Sequence, residues 1–146
     1  MLVRELLTER KIVSLGPGDT ALDAARAMTE AHVGSVVVRG EDGKLLGIFT
    51  ERDLMNVVSA GQSPASRPLR EVMTVDLYTT DPGRAVTDVR REMRDRHIRH
   101  VPVLLDGEVL AVLGMRDLLY ADFVEKRQEV NEMTAYIRGE AFGREA

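Results

Sequence analysis

The sequence repeats itself, and this repeat constrains the fold more than any other feature. Like residues recur 65 positions apart, and then 64 positions apart after a turn that is one residue shorter. The matched pairs are Pro17-Gly18 with Pro82-Gly83, Asp23 with Asp88, Met28 with Met93, His32 with His97, Gly43 with Gly107, and Arg52-Asp53-Leu54 with Arg116-Asp117-Leu118. Because the matches keep their order over about 40 residues, we interpret the chain as a tandem duplication.

Each copy has the pattern of a β-α-β-β-α unit. A short strand precedes a Pro-Gly turn, an amphipathic helix follows, and two strands flank a hairpin turn before a second helix. In the first copy, the pattern predicts strands at 12–15, 35–38 and 45–49, a helix at 20–31 and another from about residue 50. In the second copy, it predicts strands at 77–80 and 109–113 and a helix from about residue 114.

Two such units need a common core. The 146 residues allow two units, and a unit of about 60 residues is marginal alone. We therefore expect an α+β fold in which the repeats pack as a pseudo-two-fold pair, with a ligand cleft between them. The expected bounds are 1–62 for the first repeat, 69–122 for the second and 123–146 for a C-terminal helical tail, and residues 60–68 form a proline-bearing linker.

The tail keeps a helical pattern to about Arg138, where Gly139 is the expected stop. Apolar residues alternate there with charged ones, so an apolar stripe needs a cover. We expect a second copy of the chain to supply it. The alternative is that the tail packs back on its own repeat.

Composition excludes several classes of function. A net charge of −4 argues against a nucleic-acid partner, which requires a dense basic surface. The chain has no cysteine, and its three histidines lack zinc-binding spacing. No apolar run approaches the roughly 20 residues that span a bilayer. We expect a cytoplasmic protein that is not an enzyme, has no metal or required cofactor, and has no nucleic-acid or membrane partner.

The segment from Gly16 to Ala21 fits the outline G-x-G-x-x-A of a dinucleotide-binding turn. A proline stands between the two glycines, and the second copy keeps just one glycine. A strand-to-helix turn with Asp19 or Thr20 as the N-cap is the preferred interpretation.

A hydroxyl and a carboxylate open the helix after residue 50, as Thr50 and Asp53. These residues suit a capping box, and they also suit an anion at the helix start and a ribose diol on the carboxylate. The second copy has Gly114 and Asp117 and so loses the hydroxyl while keeping the carboxylate. This retention favours ligand binding over capping alone.

Two polar residues enter an apolar strand at Arg99 and His100. Arg99 suits a phosphate, and the charge of His100 depends on pH. Strand alternation predicts that they point to opposite faces, with at least one toward a ligand. The first copy has Gly34 and Ser35 here, so the two ligand sites should be unequal. His32 and His97, at matched helix ends, are interpreted as structural.

These motifs together resemble the CBS domain family, whose domains occur as tandem pairs called Bateman modules. The resemblance rests on Gly47-Ile48-Phe49-Thr50-Glu51-Arg52-Asp53-Leu54 and on Arg99-His100-Val101-Pro102-Val103, and it covers about residues 8–122. The tail is similar to that of small stand-alone bacterial CBS-pair proteins. The family implies a disc of two units with adenosyl ligands in clefts between them.

The resemblance also implies two sets of site residues. Gly114 departs from the family's Thr or Ser, which makes the second set the weaker site. The first set is Ile48, Thr50, Asp53, Met73, Val75, Arg99, His100 and Pro102, and the second is Lys11, Ile12, Ser35, Val112 and Asp117.

The expected function is regulatory. The module would bind AMP, ADP or ATP, sense the cellular nucleotide state and signal by a conformational change. It would act as a homodimer on an unidentified enzyme or transporter. The alternative is a ligand-free dimerisation or docking protein that regulates a partner enzyme.

Overall fold

The computed structural model describes residues 1–7 and 12–139, and its helices and strands follow the repeat. The first unit contains β1 (Ser14–Leu15), α1 (Ala21–Ala31), β2 (Ser35–Arg39), β3 (Leu45–Thr50) and α2 (Glu51–Ser59). The second contains α3 (Leu69–Val72), α4 (Val86–Arg96), β4 (His100–Leu105), β5 (Glu108–Gly114) and α5 (Met115–Ile137). Short 3₁₀ turns lie at Val3–Leu6 and Pro64–Ser66. The fold is α+β with a C-terminal helix, as the sequence predicts.

The first sheet has the order β1-β2-β3. Strand β1 runs parallel to β2, with Ser14 opposite Val37, and β3 runs antiparallel to β2. The buried strands β2 and β3 are rich in β-branched and aromatic residues, which fit a pleated surface. They cover α1, whose buried face includes Ala21, Ala24 and Met28.

The second sheet contains β4 and β5. The sequence also predicts a strand at 77–80, but there the structure has a single parallel bridge between Thr80 and Val103. Proline explains the difference. In the first unit the Val37 N–H donates to the Val13 carbonyl at 2.8 Å, and Pro102, at the position matched to Val37, has no N–H to donate to Tyr78.

The common core expected from the sequence is wrong, since each unit has its own core. Each core also contains residues from the segment that precedes the other unit. Val3 and Leu6 are buried in the core of the second unit, together with Val86, Val89 and Met93. The Val3 N–H donates to the Arg84 carbonyl at 2.9 Å. Conversely, Leu69 is buried in the core of the first unit. The expected first repeat, 1–62, thus contains a segment that completes the other unit.

Helix caps follow the sequence closely. Thr20 caps α1, since its hydroxyl accepts the Asp23 N–H at 3.1 Å and the Asp23 carboxylate accepts the Thr20 N–H at 2.9 Å. This confirms the N-cap interpretation of the Gly16 turn. His32 and His97 are the C-cap residues of α1 and α4, and each has a left-handed backbone with φ 56°.

Candidate functional site

A cavity of about 1160 Å³ lies between the two units. Its wall combines the end of α1, the starts of β2, α2 and α5, and the start of β4. Four of the residues predicted for the second site line it: Ile12, Ser35, Val112 and Asp117. The fifth, Lys11, lies outside the described residues.

Asp117 stands in the first turn of α5. Its Oδ2 accepts the Gly114 N–H at 2.7 Å, which satisfies a backbone donor at the helix start. A carboxylate therefore caps this helix without a neighbouring hydroxyl. The argument that a retained Asp117 points to ligand binding loses its force, and the case for Asp117 rests on its place in the cavity wall.

His100 lies near the meeting point of the two units. It pairs with Gly114 on β5, and a Cβ added at Gly34 would lie 3.3 Å from its Nε2. At Gly114 an added Cβ would lie 3.7 Å from His100 Cδ2. Glycine at position 34 leaves room for the imidazole, whereas a Cβ at position 114 would make an ordinary van der Waals contact with it.

The charges around His100 come from both units. Burial lowers the pKa of the imidazole below its usual value, and the guanidinium of Arg99 acts in the same direction. The carboxylates of Glu51, Asp117 and, least, Asp53 act in the opposite direction. Burial therefore favours the neutral form of the imidazole in this cavity.

Arg99 also lines this cavity, together with Arg116 and Glu51. The sequence predicts opposite faces for Arg99 and His100, but β4 begins at His100, so Arg99 precedes the strand. Strand alternation therefore does not apply to Arg99, and both residues line the cavity.

The Asp53 region has a different character. The Asp53 carboxylate accepts the Thr50 N–H at 2.9 Å and the Thr74 hydroxyl at 3.1 Å. Thr74 and Ile48 exchange two backbone hydrogen bonds of 2.9 and 3.0 Å. A Cβ at Gly47 would come within 2.7 Å of the Thr74 carbonyl, so the chain after α3 lies directly against β3 here.

The structure divides the set that was predicted for the first site. Thr50, Asp53, Ile48 and Met73 surround this contact, with Ile48 buried and Met73 packed against the core of the first unit. Val75 is exposed, and Pro102 is buried. Arg99 and His100 line the cavity that contains Asp117, and the Asp53 carboxylate also acts on the pKa of His100.

The cavity residues that the sequence reasoning missed include three with polar side chains, Glu51, Arg116 and Thr29. Glu51 directly follows Thr50 in the motif, and Arg116 occupies the position matched to Arg52. Thr29 lies on the last turn of α1. Comparing the two copies position by position would have flagged the first two.

Comparisons with known proteins identify the family of the fold. The family described as CBS domain matches residues 3–60 and 69–123. The chain belongs to the CBS domain family. The two matched segments form a tandem CBS pair, a Bateman module. Among residues 1–7 and 12–139, no helix has the length and apolar content needed to cross a membrane.

Relatives of this CBS pair include a mitochondrial protein of Arabidopsis thaliana, CBS domain-containing protein CBSX3. It is 36% identical over 126 residues, which are 83% of this chain and 61% of the relative, so the chain spans about three fifths of its length. The solved ATU1752 from Agrobacterium tumefaciens, a CBS-domain containing protein, is 30% identical with a TM-score of 0.78, covering 83% of this chain and 92% of that one.

A third similar protein carries a ligand. The CBS domain protein PAE2072 from Pyrobaculum aerophilum, solved in complex with AMP, is 27% identical with a TM-score of 0.73. The similarity covers 80% of this chain and 89% of that one. CBS pairs are regulatory ligand-binding modules, and this chain shares their fold.

Proposed function

We propose that this CBS pair is a regulatory module that binds an adenine nucleotide, AMP-like by preference, in the cavity between its units. The observation that supports the proposal is the lining of the cavity, which includes Asp117 together with Arg99, His100 and Arg116. A carboxylate accepts the hydrogens of a ribose diol, and guanidinium groups bind phosphate. The AMP complex of PAE2072 supports the same ligand class.

The proposal reverses the expected ranking of the two clefts. We rank the Asp117 cavity first because it has a volume of about 1160 Å³ and is lined by residues of both units. At Asp53, a ligand would have to displace the Thr74 hydroxyl, which donates to the carboxylate at 3.1 Å.

Binding in this cavity would act on both units at once. Ile12 and Ser35 come from the first unit, and Val112 and Asp117 come from the second. A ligand that contacts both units stabilises the relative orientation that suits it best, by the difference between its affinities for the two orientations. We propose that a partner enzyme or transporter responds to that orientation. We also propose that the module senses the nucleotide concentration of the cytoplasm.

Titration calorimetry of the full chain against AMP, ADP, ATP, S-adenosylmethionine and NADH tests the proposal. We expect AMP to bind, with one strong site per chain. The alternative, a docking protein without a ligand, predicts no heat from any of these nucleotides at millimolar concentration. That result would overturn the proposed function.

We also propose that the module is a homodimer. Met55 and Val58 on α2 and Leu119 and Phe123 on α5 are exposed apolar residues. The starts of α2 and α5 occupy matched positions in the two repeats, so both units present apolar residues to a partner. Light scattering on the purified chain measures the assembly state directly.

A further inference from the structure

Helix α5 extends well past the second unit and leaves an apolar stripe in solvent. It begins beside the core, where Leu118 and Ala121 are buried, and continues to Ile137. At about 1.5 Å per residue, its 23 residues span about 34 Å. The helix therefore carries a surface that the fold of one chain does not use.

The exposed residues have the spacing of a coiled-coil seam. Counting from Leu119, the seam positions alternate in steps of four and three residues, which is the heptad pattern. The positions are Leu119, Phe123, Lys126, Val130, Met133 and Ile137. The five apolar ones are between 61% and 76% exposed, and we call this set the tail seam.

The exposed area is large enough for a stable dimer. Seven apolar or aromatic residues of α5, including Tyr120 and Tyr136, are more than 60% exposed. At roughly 100 Å² each they approach the roughly 800 Å² per partner of a standard interface. A stripe of this size is larger than a monomer normally exposes.

Charge favours a second copy over a lipid surface. The helix after Ala121 carries Asp122, Glu125, Glu129 and Glu132 against Lys126 and Arg127, an acidic excess that anionic lipids repel. Lys126 stands in the seam, 3.7 Å from Glu129. Because positive and negative side chains flank the apolar stripe, those of one copy can pair with the opposite charges of a second copy.

We propose that the tail seam pairs antiparallel with the tail seam of a second copy. The antiparallel register places Phe123 against Met133 of the second copy and Lys126 against Val130 of the second copy. Lys126 then also lies beside Glu129 of the second copy. A parallel register would instead place the two Lys126 side chains against each other in the core, which is unfavourable.

This inference rests on the proposed homodimer and names the surface that forms it. The first test compares two variants that add the same charge to the same helix. Val130→Glu alters the seam, and Gln128→Glu alters the exposed opposite face. By light scattering we expect Gln128→Glu to keep twice the chain mass of 16.2 kDa and Val130→Glu to become monomeric.

A dimer that survives Val130→Glu would overturn the tail seam while leaving the homodimer and the nucleotide site in place. AMP affinity, measured on the same variants, separates the two ideas further. Because the seam lies away from the cavity wall, Val130→Glu should bind AMP within about twofold of the parent chain. Loss of AMP binding by every protein, the parent included, would count against the proposed function and not against the seam.

The second test determines whether the two helices pair parallel or antiparallel. Because the chain has no cysteine, introduced cysteines can form disulfides only with each other. Phe123→Cys and Met133→Cys are prepared singly and together, and each is oxidised under mild conditions. The antiparallel seam predicts covalent dimers from the double variant and from an equimolar mixture of the two singles. Efficient cross-linking of either single variant alone would show a parallel pair and overturn the proposal.

Discussion

The Thr74 hydroxyl donates to both carboxylate oxygens of Asp53, at 3.1 Å to Oδ1 and 3.3 Å to Oδ2. Thr74 belongs to the segment that leads into the second unit, and Asp53 opens α2 of the first. The contact therefore joins the two halves of the tandem at the edge of β3. The hydrogen bond also engages the Asp53 carboxylate, which the sequence predicts would bind a ribose.

Replacing Thr74 tests the contribution of this contact. Thr74→Val keeps the shape of the side chain and removes the donor, so we expect a loss of about 0.5–1.5 kcal/mol in unfolding free energy. Because Thr74 is exposed, the lower end of this range is expected. Urea denaturation measures the change. Thr74→Ser, which keeps the hydroxyl, is the control, and an equal loss there would assign the effect to packing.

Gly47 is required by the close approach of the same segment. An added Cβ would lie 2.7 Å from the Thr74 carbonyl and 2.9 Å from Met73 Sδ. Gly47→Ala should therefore destabilise the fold by about 1–3 kcal/mol, because the chain must move.

Gly18→Ala is the matched control for Gly47→Ala, since nothing lies within 4 Å of its added Cβ. It should leave the denaturation midpoint nearly unchanged. Similar midpoints for both variants would contradict the tight packing at Gly47.

The two aspartates should differ in nucleotide binding. Asparagine removes the charge while its Oδ1 still accepts the backbone N–H of the helix cap. We expect Asp117→Asn to weaken AMP binding by tenfold or more and Asp53→Asn to weaken it by less than threefold. Calorimetry on both variants decides between the clefts, and a larger loss at Asp53 would restore the ranking expected from the sequence.

His100 should make the ligand-free protein less stable in acid. Burial lowers its pKa in the folded state, so the unfolded chain takes up a proton near pH 6.5 while the folded one does not. Stability contributed by the neutral imidazole is therefore present above pH 6.5 and is lost as the pH falls below it.

The measurement for His100 is the thermal midpoint at pH 7.5 and pH 5.5, without ligand. We expect the midpoint of the parent chain to fall more steeply with pH than that of His100→Gln. Bound AMP should reduce the difference, because a phosphate favours the imidazolium. If the midpoints of the parent and the variant changed equally with pH, His100 would not contribute to the loss of stability in acid.

Much of the fold followed from local patterns. The caps at Thr20 and Thr50 and the helix from Met115 to Ile137 each depend on residues a few positions apart, and the duplication follows from comparing the sequence with itself. Helix period, strand period and capping preferences act over such distances, so a single sequence reveals them. The family assignment also followed, because its motifs recur in order in both copies.

Contacts between segments that are distant in the chain could not be predicted from the sequence in this way. Pro102 removes one strand by failing to donate to Tyr78, an effect visible once the neighbouring segment is known. The burial of Val3 in the second unit and of Leu69 in the first depends on how the chain crosses between units. A repeat in the sequence assigns residues to copies and does not say which copy each segment packs against.

The candidate site shows the same division. The residue types that suit a nucleotide, including Asp117, Arg99 and His100, could be chosen from the sequence. Their grouping could not, because it depends on the start of β4 at His100 and on the chain that lies against Asp53. Residue chemistry is local, whereas the shape of a cavity between two units depends on the packing of both, and that packing opened the cleft at Asp117.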